Sequence, residues 1–225
     1  LRTLDGRRAH LAHLQFHAYG GRMGGDMSRA RSRAPELAEH LNAHPELSAD
    51  VGQVMFGPAM TMTADAPVSA VLRDITHGKW VNADTEAETG CGIVPFTYRE
   101  RNYVHALQWG IGLELFLLSR DPWRLVLSTD HPNGGSFLSY PRLIRLLMDR
   151  EFRNEQIGRV NRRAMKRTVL LDDLDREYTL EEIAIITRAG PARLLGMRDK
   201  GHLGVGADAD ITIYDDDEED REAMF

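Results

Sequence analysis

The sequence predicts an α/β fold, and three observations carry the prediction. Strand-like apolar segments recur at three places, near residues 9–17, 48–56 and 125–129. Helical spacing fills the chain between them and after the last one, giving the order strand, helix, strand, insertion, helix, strand, helices. The third strand runs straight into "TDHPNGG", an acid, a histidine and a proline placed where a strand leaves the core. Strand ends that face a loop are frequent sites of chemistry in α/β proteins, and they are also ordinary places for a turn-starting Asp.

Each element has a local reason. In "AHLAHLQFH" Leu11, His13, Gln15 and His17 alternate with Ala12, Leu14 and Phe16, the period of a strand, and glycines follow at once. Leu37 and Leu41 fall at helical spacing and predict a helix over about 32–43. "LSADVGQVMFG" reads as the second strand. From 57 to 101 Pro58, Pro67, Pro95 and several glycines break the pattern, and the stretch is too long for a plain connection. It is expected to be an insertion with short strands near 80–84 and 93–98. "NYVHALQWGIGLELFLLSRDP" is an apolar helix stopped by Pro122. "YPRLIRLLMDREFR" is an amphipathic helix that Pro141 can start. "YTLEEIAIITRAGPARLLGM" opens on a capping-box pattern, Thr179 with Glu182, and should break near Gly190-Pro191. Ile211 and Ile213 alternate with Thr212 and Tyr214 in a final strand, and the acidic tail reads as a solvated loop.

Composition narrows the function. Of 225 residues 42% are hydrophobic, enough for a sizeable core. The net charge of -6, from 28 basic and 34 acidic residues, gives no electrostatic case for nucleic acid. A lone Cys91 excludes an internal disulfide and suits a reducing compartment. No apolar run is long enough to span a bilayer, and the first residues lack a signal-peptide layout. A cytoplasmic protein is expected.

Two places can carry chemistry. His13 and His17 put imidazoles near the end of the first strand, where a ring nitrogen can bind a metal; the plainer alternative is a pair of polar residues on a half-exposed strand. Gln15 lies on the same face, and a polar face on an interior strand needs a partner. Asp130 can bind a metal or move a proton, or it can simply start a turn ahead of Pro132. Weaker candidates are Cys91, more readily a small buried residue, and His105, expected to be packed or capping. "GVGADAD" precedes a strand, the reverse of a phosphate-binding loop.

Three stretches resemble one superfamily in its own order. "GHLGVGADADITIYD" resembles the run that leads back into the small β-sandwich of metal-dependent amidohydrolases, "TLEEIAIITRAGPARLLGM" the helices before it, and "STDHP" their last barrel strand. "HLQFHAYGG", "DVGQV", "QWGIGLELFLL" and "DPWRLVLSTDHPNGGSFLSYPRLIRLLMDR" resemble a narrower family. It comprises the amidohydrolase-type subunit of formylmethanofuran dehydrogenase and the hydrolase subunit of the bacterial formyltransferase/hydrolase complex. This likeness covers nearly the whole chain and is weakest over 57–73 and 154–168.

The resemblance implies the C-terminal part of a (β/α)8 TIM-type barrel over residues 1–198, about strands six to eight with an insertion at 57–101. Residues 199–225 would begin a β-sandwich segment. It implies two zinc ions bridged by a carboxylated lysine, with a His-x-His pair, two further histidines and an Asp as the other ligands. His13 matches the strand-six histidine, with His17 as its rival, and Asp130 matches the strand-eight Asp, which is also the catalytic acid–base. The remaining ligands and the lysine have no match here, so the chain is expected to be the later part of a longer enzyme. The implied reaction is hydrolysis, or reverse synthesis, of an N-formyl amide on a methanofuran-type carrier. Gln15, His131 and Asn133 would contact that substrate, and other subunits of the complex would be partners. The alternative readings are another cyclic amidohydrolase, of hydantoinase or dihydroorotase type, and a non-catalytic scaffold that holds partner subunits.

Overall fold

The computed structural model of the chain describes residues 7–21, 27–63, 92–172, 174–211 and 213. At its centre is a parallel sheet of β1 (Ala9–Leu11), β4 (Leu47–Gly52) and β7 (Leu125–Ser128), adjacent in chain order. Ala9 pairs with Leu47 and Ala49 with Leu125. Parallel neighbours need a crossover connection, and helices α1 (Ala34–Ala43) and α2 (Tyr103–Leu118) lie in the two crossovers. Leu47, Ala49 and Val51 are buried, while Ser48 and Asp50 between them are only half-buried. The middle strand therefore has one apolar and one polar face.

Helix α2 is buried on every side and is the core of the molecule, with Trp109, Ile111, Leu113, Leu115 and Phe116 all essentially inaccessible. Asn102 caps it by accepting from the N–H groups of Val104 and His105 at 2.8 and 3.1 Å. It ends at Leu118, ahead of Pro122. The Ser119 carbonyl accepts from Arg176. The end of α1 is tied in the same way: Arg124 donates to the Leu41 and His44 carbonyls at 2.6 and 2.9 Å.

Short antiparallel pairs flank the sheet. Strands β2 (Tyr19–Gly20) and β3 (Arg31–Ser32) form one, and β5 (Gly57–Thr63) and β6 (Gly92–Tyr98) the other. The second pair gives the expected insertion its described structure. The strand expected at 80–84, and Cys91, lie outside the described residues. His105 is buried among Phe96 and Tyr98 and accepts from the Arg99 N–H at 2.9 Å, the packed and capping role expected of it.

Three expectations need correction. The first strand stops at Leu11; His13 turns left-handed and 14–17 form a 3-10 turn. The cause is long-range: the Asp50 carboxylate accepts the His13 N–H at 2.9 Å, and the Gln15 amide pairs with both backbone groups of Gly52, at 3.1 and 3.2 Å. Second, the helix expected over 140–153 is two, α3 (Tyr140–Met148) and α4 (Arg150–Arg159), divided by an extended Asp149 that caps the second through the Phe152 N–H. A short α5 (Arg162–Met165) follows. Third, over the expected final strand residues 205–211 are turn and irregular backbone and Ile211 and Ile213 are exposed, while Thr212 and Tyr214 lie outside the described residues. No described strand lies beside them to complete a ladder. The capping box at Thr179 is present; from it α6 (Leu180–Ala184) passes through a π turn (Ile185–Ala189) into α7 (Gly190–Leu194) without the expected break. A π turn accommodates Pro191 because it already shifts the ladder in which proline cannot donate.

Candidate active site at the strand ends

The C-terminal ends of β1, β4 and β7 meet in one place, and Gly52 marks it. A Cβ built there would lie 2.9 Å from Asp130 Cβ, 3.0 Å from Gln15 Nε2 and 3.2 Å from His13 Nδ1. Only a residue without a side chain lets three others converge over its α-carbon.

His13 and Asp130 face each other across this point, with Nε2 and Oδ1 3.9 Å apart. Both are held in the left-handed region, at φ 49° and 48°, and they are the two non-glycine residues so placed among the described residues. This conformation costs about 1–2 kcal/mol per residue and concentrates at functional sites. Each is fixed by its surroundings. Asp50 accepts the His13 N–H. The Asp130 N–H donates to Ser128 Oγ at 2.9 Å and its carbonyl accepts from Gly134 at 3.0 Å. The loop beyond is pinned to the segment after β4, Met55 donating to the Gly134 carbonyl and Met60 to that of Pro132.

Asp50 is the residue that the sequence did not single out. Its Oδ2 lies 3.1 Å from His10 Nε2, and its Oδ1 lies 3.2 Å from His13 Nδ1 as well as on the His13 N–H. His10 Nδ1 in turn meets Ser48 Oγ at 3.0 Å. The signal was present in "LSADVG": Ser48 and Asp50 put polar groups on one face of a central strand.

The other predicted residues take distinct places. His13, not His17, is the imidazole set beside Asp130; His17 closes the 3-10 turn and is exposed. Gln15 is buried and engaged by Gly52. His131 turns outward, its Nδ1 3.3 Å from the Gly135 carbonyl and its ring edge-on to Phe137. Asn133 hydrogen-bonds Asp130 through its side chain, while its own Oδ1 is buried without a partner among the described residues. Burial pushes the Asp130 carboxyl up from its ordinary range; His13 and the Asn133 hydrogen bond oppose that, and Asp50 adds to it.

An imidazole and a carboxylate are the donors that zinc takes. Nε2 is free of hydrogen bonds to described residues and points at Asp130. The pair fits one edge of a metal centre. Among the described residues no three His, Cys, Asp or Glu side chains form a complete one, and zinc takes about four ligands.

Comparison with known proteins gives the chain its family. Residues 2–224 match the family described as "Amidohydrolase family". One of the subunits of the formyltransferase/hydrolase complex Fhc of Methylorubrum extorquens is 47% identical over 236 residues, taking in 100% of this chain and 41% of that protein. Protein FwdA of Methanocaldococcus jannaschii is 47% identical over 212 residues, 93% of this chain and 36% of that one. The crystal structure of the formyltransferase/hydrolase complex FhcABCD from Methylorubrum extorquens with methylofuran matches at a TM-score of 0.79 and 48% identity, over 98% of this chain and 40% of that chain. The chain thus spans about two fifths of the length of the relatives it matches. A family match that runs from residue 2 to residue 224, over an α/β structure with a parallel sheet, shows that the chain belongs to the amidohydrolase family.

Proposed function

We propose that this chain supplies the later strands of a zinc-dependent amidohydrolase that cleaves, or in reverse forms, the N-formyl amide of a formylmethanofuran-type carrier. The observation that carries the reading is the pair His13 and Asp130, both left-handed, facing across Gly52 at the C-terminal ends of parallel strands. The likeness to the Fhc protein and to FwdA supports the substrate class. Three parallel strands adjacent in chain order suit strands six to eight of a (β/α)8 barrel, with a β-sandwich segment beginning near 199. The missing ligands, a His-x-His pair, a further histidine and a carboxylated lysine, would then lie in the rest of a longer protein. It would work in the cytoplasm beside the other subunits of such a complex; among the described residues no helix is long and apolar enough to cross a membrane.

In this reading His13 Nε2 and the Asp130 carboxylate hold zinc. Bound zinc supplies hydroxide at neutral pH and polarises the formyl oxygen. Asp130 takes the proton released as the C–O bond forms and returns it to the amine nitrogen as the C–N bond breaks, so formate and the free amine leave with no net proton held. Its half-buried position between the strand ends suits a group that must reach both atoms. Asn133 steadies the carboxylate, and the exposed His131 faces the space where the carrier would lie.

The test is zinc content and formylmethanofuran hydrolysis in the full-length protein. His13→Ala is expected to lower bound zinc and His17→Ala to leave it intact. The reverse result would move the ligand by one turn, and loss in neither would remove the metal reading.

A further inference from the structure

Asp50 stands between two imidazoles, and its two oxygens are divided between them. Oδ2 receives His10 Nε2 at 3.1 Å, while His10 Nδ1 rests on Ser48 Oγ at 3.0 Å. An ionised carboxylate only accepts, so the His10 proton on this side belongs to Nε2 and goes to Asp50. Oδ1 receives the His13 backbone N–H at 2.9 Å and lies 3.2 Å from His13 Nδ1. That last contact is out of line for a hydrogen bond, so Nδ1 is left buried without a partner among the described residues. A buried ring nitrogen beside a carboxylate oxygen, on a ring whose other nitrogen faces Asp130, is half of an arrangement that is complete only when Nε2 is occupied.

We propose that Asp50 is the positioning residue for His13. Through the backbone N–H it holds His13 in its left-handed turn, and through Oδ1 it accepts a hydrogen bond from Nδ1–H once a small ring rotation brings the two into line. That fixes the tautomer whose Nε2 lone pair points between the strand ends. His10, backed by Ser48, is the brace that keeps Asp50 in place by holding its other oxygen. A carboxylate behind a ligating imidazole raises the basicity of the ligand and restricts its orientation. The inference rests on the metal-site reading of His13 and Asp130, and it assigns a role to three residues, Ser48, His10 and Asp50, that lie outside the pair.

The experiment uses the full-length protein in its complex. Zinc affinity is measured by competition with a chelator, and the ligand field by the visible absorption of the cobalt-substituted protein. Asp50→Asn keeps the shape of the side chain and an acceptor for the His13 N–H but removes the charge. It is expected to weaken zinc by about 10–100-fold and to shift the cobalt bands, with the thermal midpoint unchanged. His10→Ala is expected to weaken zinc by several-fold, on the order of the lower end of that range. A folded Asp50→Asn protein with native zinc affinity and native cobalt bands overturns the inference. Should Asp50→Asn fail to fold, His10→Ala decides, and native affinity there overturns it equally. His13→Ala separates the two levels. If it keeps its zinc, the metal-site reading falls and takes this inference with it. If it loses zinc while the Asp50 and His10 variants do not, only the inference falls.

Discussion

The strand ends and the buried flank of α2 each hold a carboxyl group pushed toward its neutral form, in contrasting surroundings. Asp130 is half-buried at the mouth of the sheet, with an imidazole 3.9 Å away and an amide donor beside it. Glu114 is wholly buried on α2, where desolvation raises it from the ordinary 4.5 to about 7. Its Oε1 accepts the Val169 N–H at 2.6 Å, and its Oε2 has no partner among the described residues. Glu36 and Asp172 push it further up, and Ser32 with the Val169 N–H pulls it back. The larger perturbation therefore sits at the place with less chemistry. A displaced pKa marks a working group only where a reacting partner faces it; at Glu114 it records the cost of burying a charge without one.

The largest effect expected from this contrast is on turnover. Asp130→Asn in the full-length enzyme, kept loaded by excess zinc, should leave stability nearly unchanged while hydrolysis of formylmethanofuran falls by about 10²–10⁴-fold, the usual worth of a positioned acid–base group. Undiminished hydrolysis would make Asp130 as structural as Glu114.

Glu114→Gln should do the reverse, moving stability and its pH dependence but not turnover. A carboxyl raised in the folded state contributes most below its unfolded value, and that contribution is lost as pH rises through the folded one. Wild type should therefore lose about 3 kcal/mol at this site between pH 4.5 and pH 8, and the Gln variant none of it. Denaturant unfolding of both proteins at pH 5 and pH 8 measures the difference. Parallel pH slopes would mean that the Glu114 pocket admits enough water to keep the group ordinary.

The same contrast explains what the sequence could reveal. Asp130 was legible because its signal is local: an apolar strand, then Asp-His-Pro. The cap at Thr179 and the apolar run of α2 are local too. The setting of His13 was not legible, since the partners that bend it out of strand conformation, Asp50 and Gly52, stand 37 and 39 residues away. Alternation in "AHLAHLQFH" mimics a strand because Leu14 and Gln15 are both buried, one by packing and one by bonding to Gly52. The division at Asp149 was hidden for a related reason: the amphipathic pattern continues across it, while the capping bond that separates the helices depends on one backbone angle. Asp50 was visible as a polar residue on a central strand, but its two imidazole partners emerge only from the register of β1 on β4.

The smallest effects come from two glycines, and they carry opposite signs. Gly52 lies under the converging side chains of the site, and Gly158 is exposed on α4 with nothing within 4 Å of a built Cβ. Gly158→Ala should stabilise the protein by about 0.5–1 kcal/mol, because alanine restricts the unfolded chain and gives up no contact in the helix. Gly52→Ala gains the same restriction but places a methyl 2.9 Å from Asp130 Cβ and 3.0 Å from Gln15 Nε2. Gln15 is tied to the Gly52 backbone and Asp130 to Ser128, so neither can retreat without losing a hydrogen bond. A net loss of about 1–3 kcal/mol is expected, with turnover reduced in the full-length enzyme as Asp130 and His13 are forced apart. Urea unfolding of the two variants against wild type gives the signs directly. If Gly52→Ala proved as benign as Gly158→Ala, the strand ends would be loose enough to admit a methyl group, and close positioning of Asp130 against His13 could not be their function.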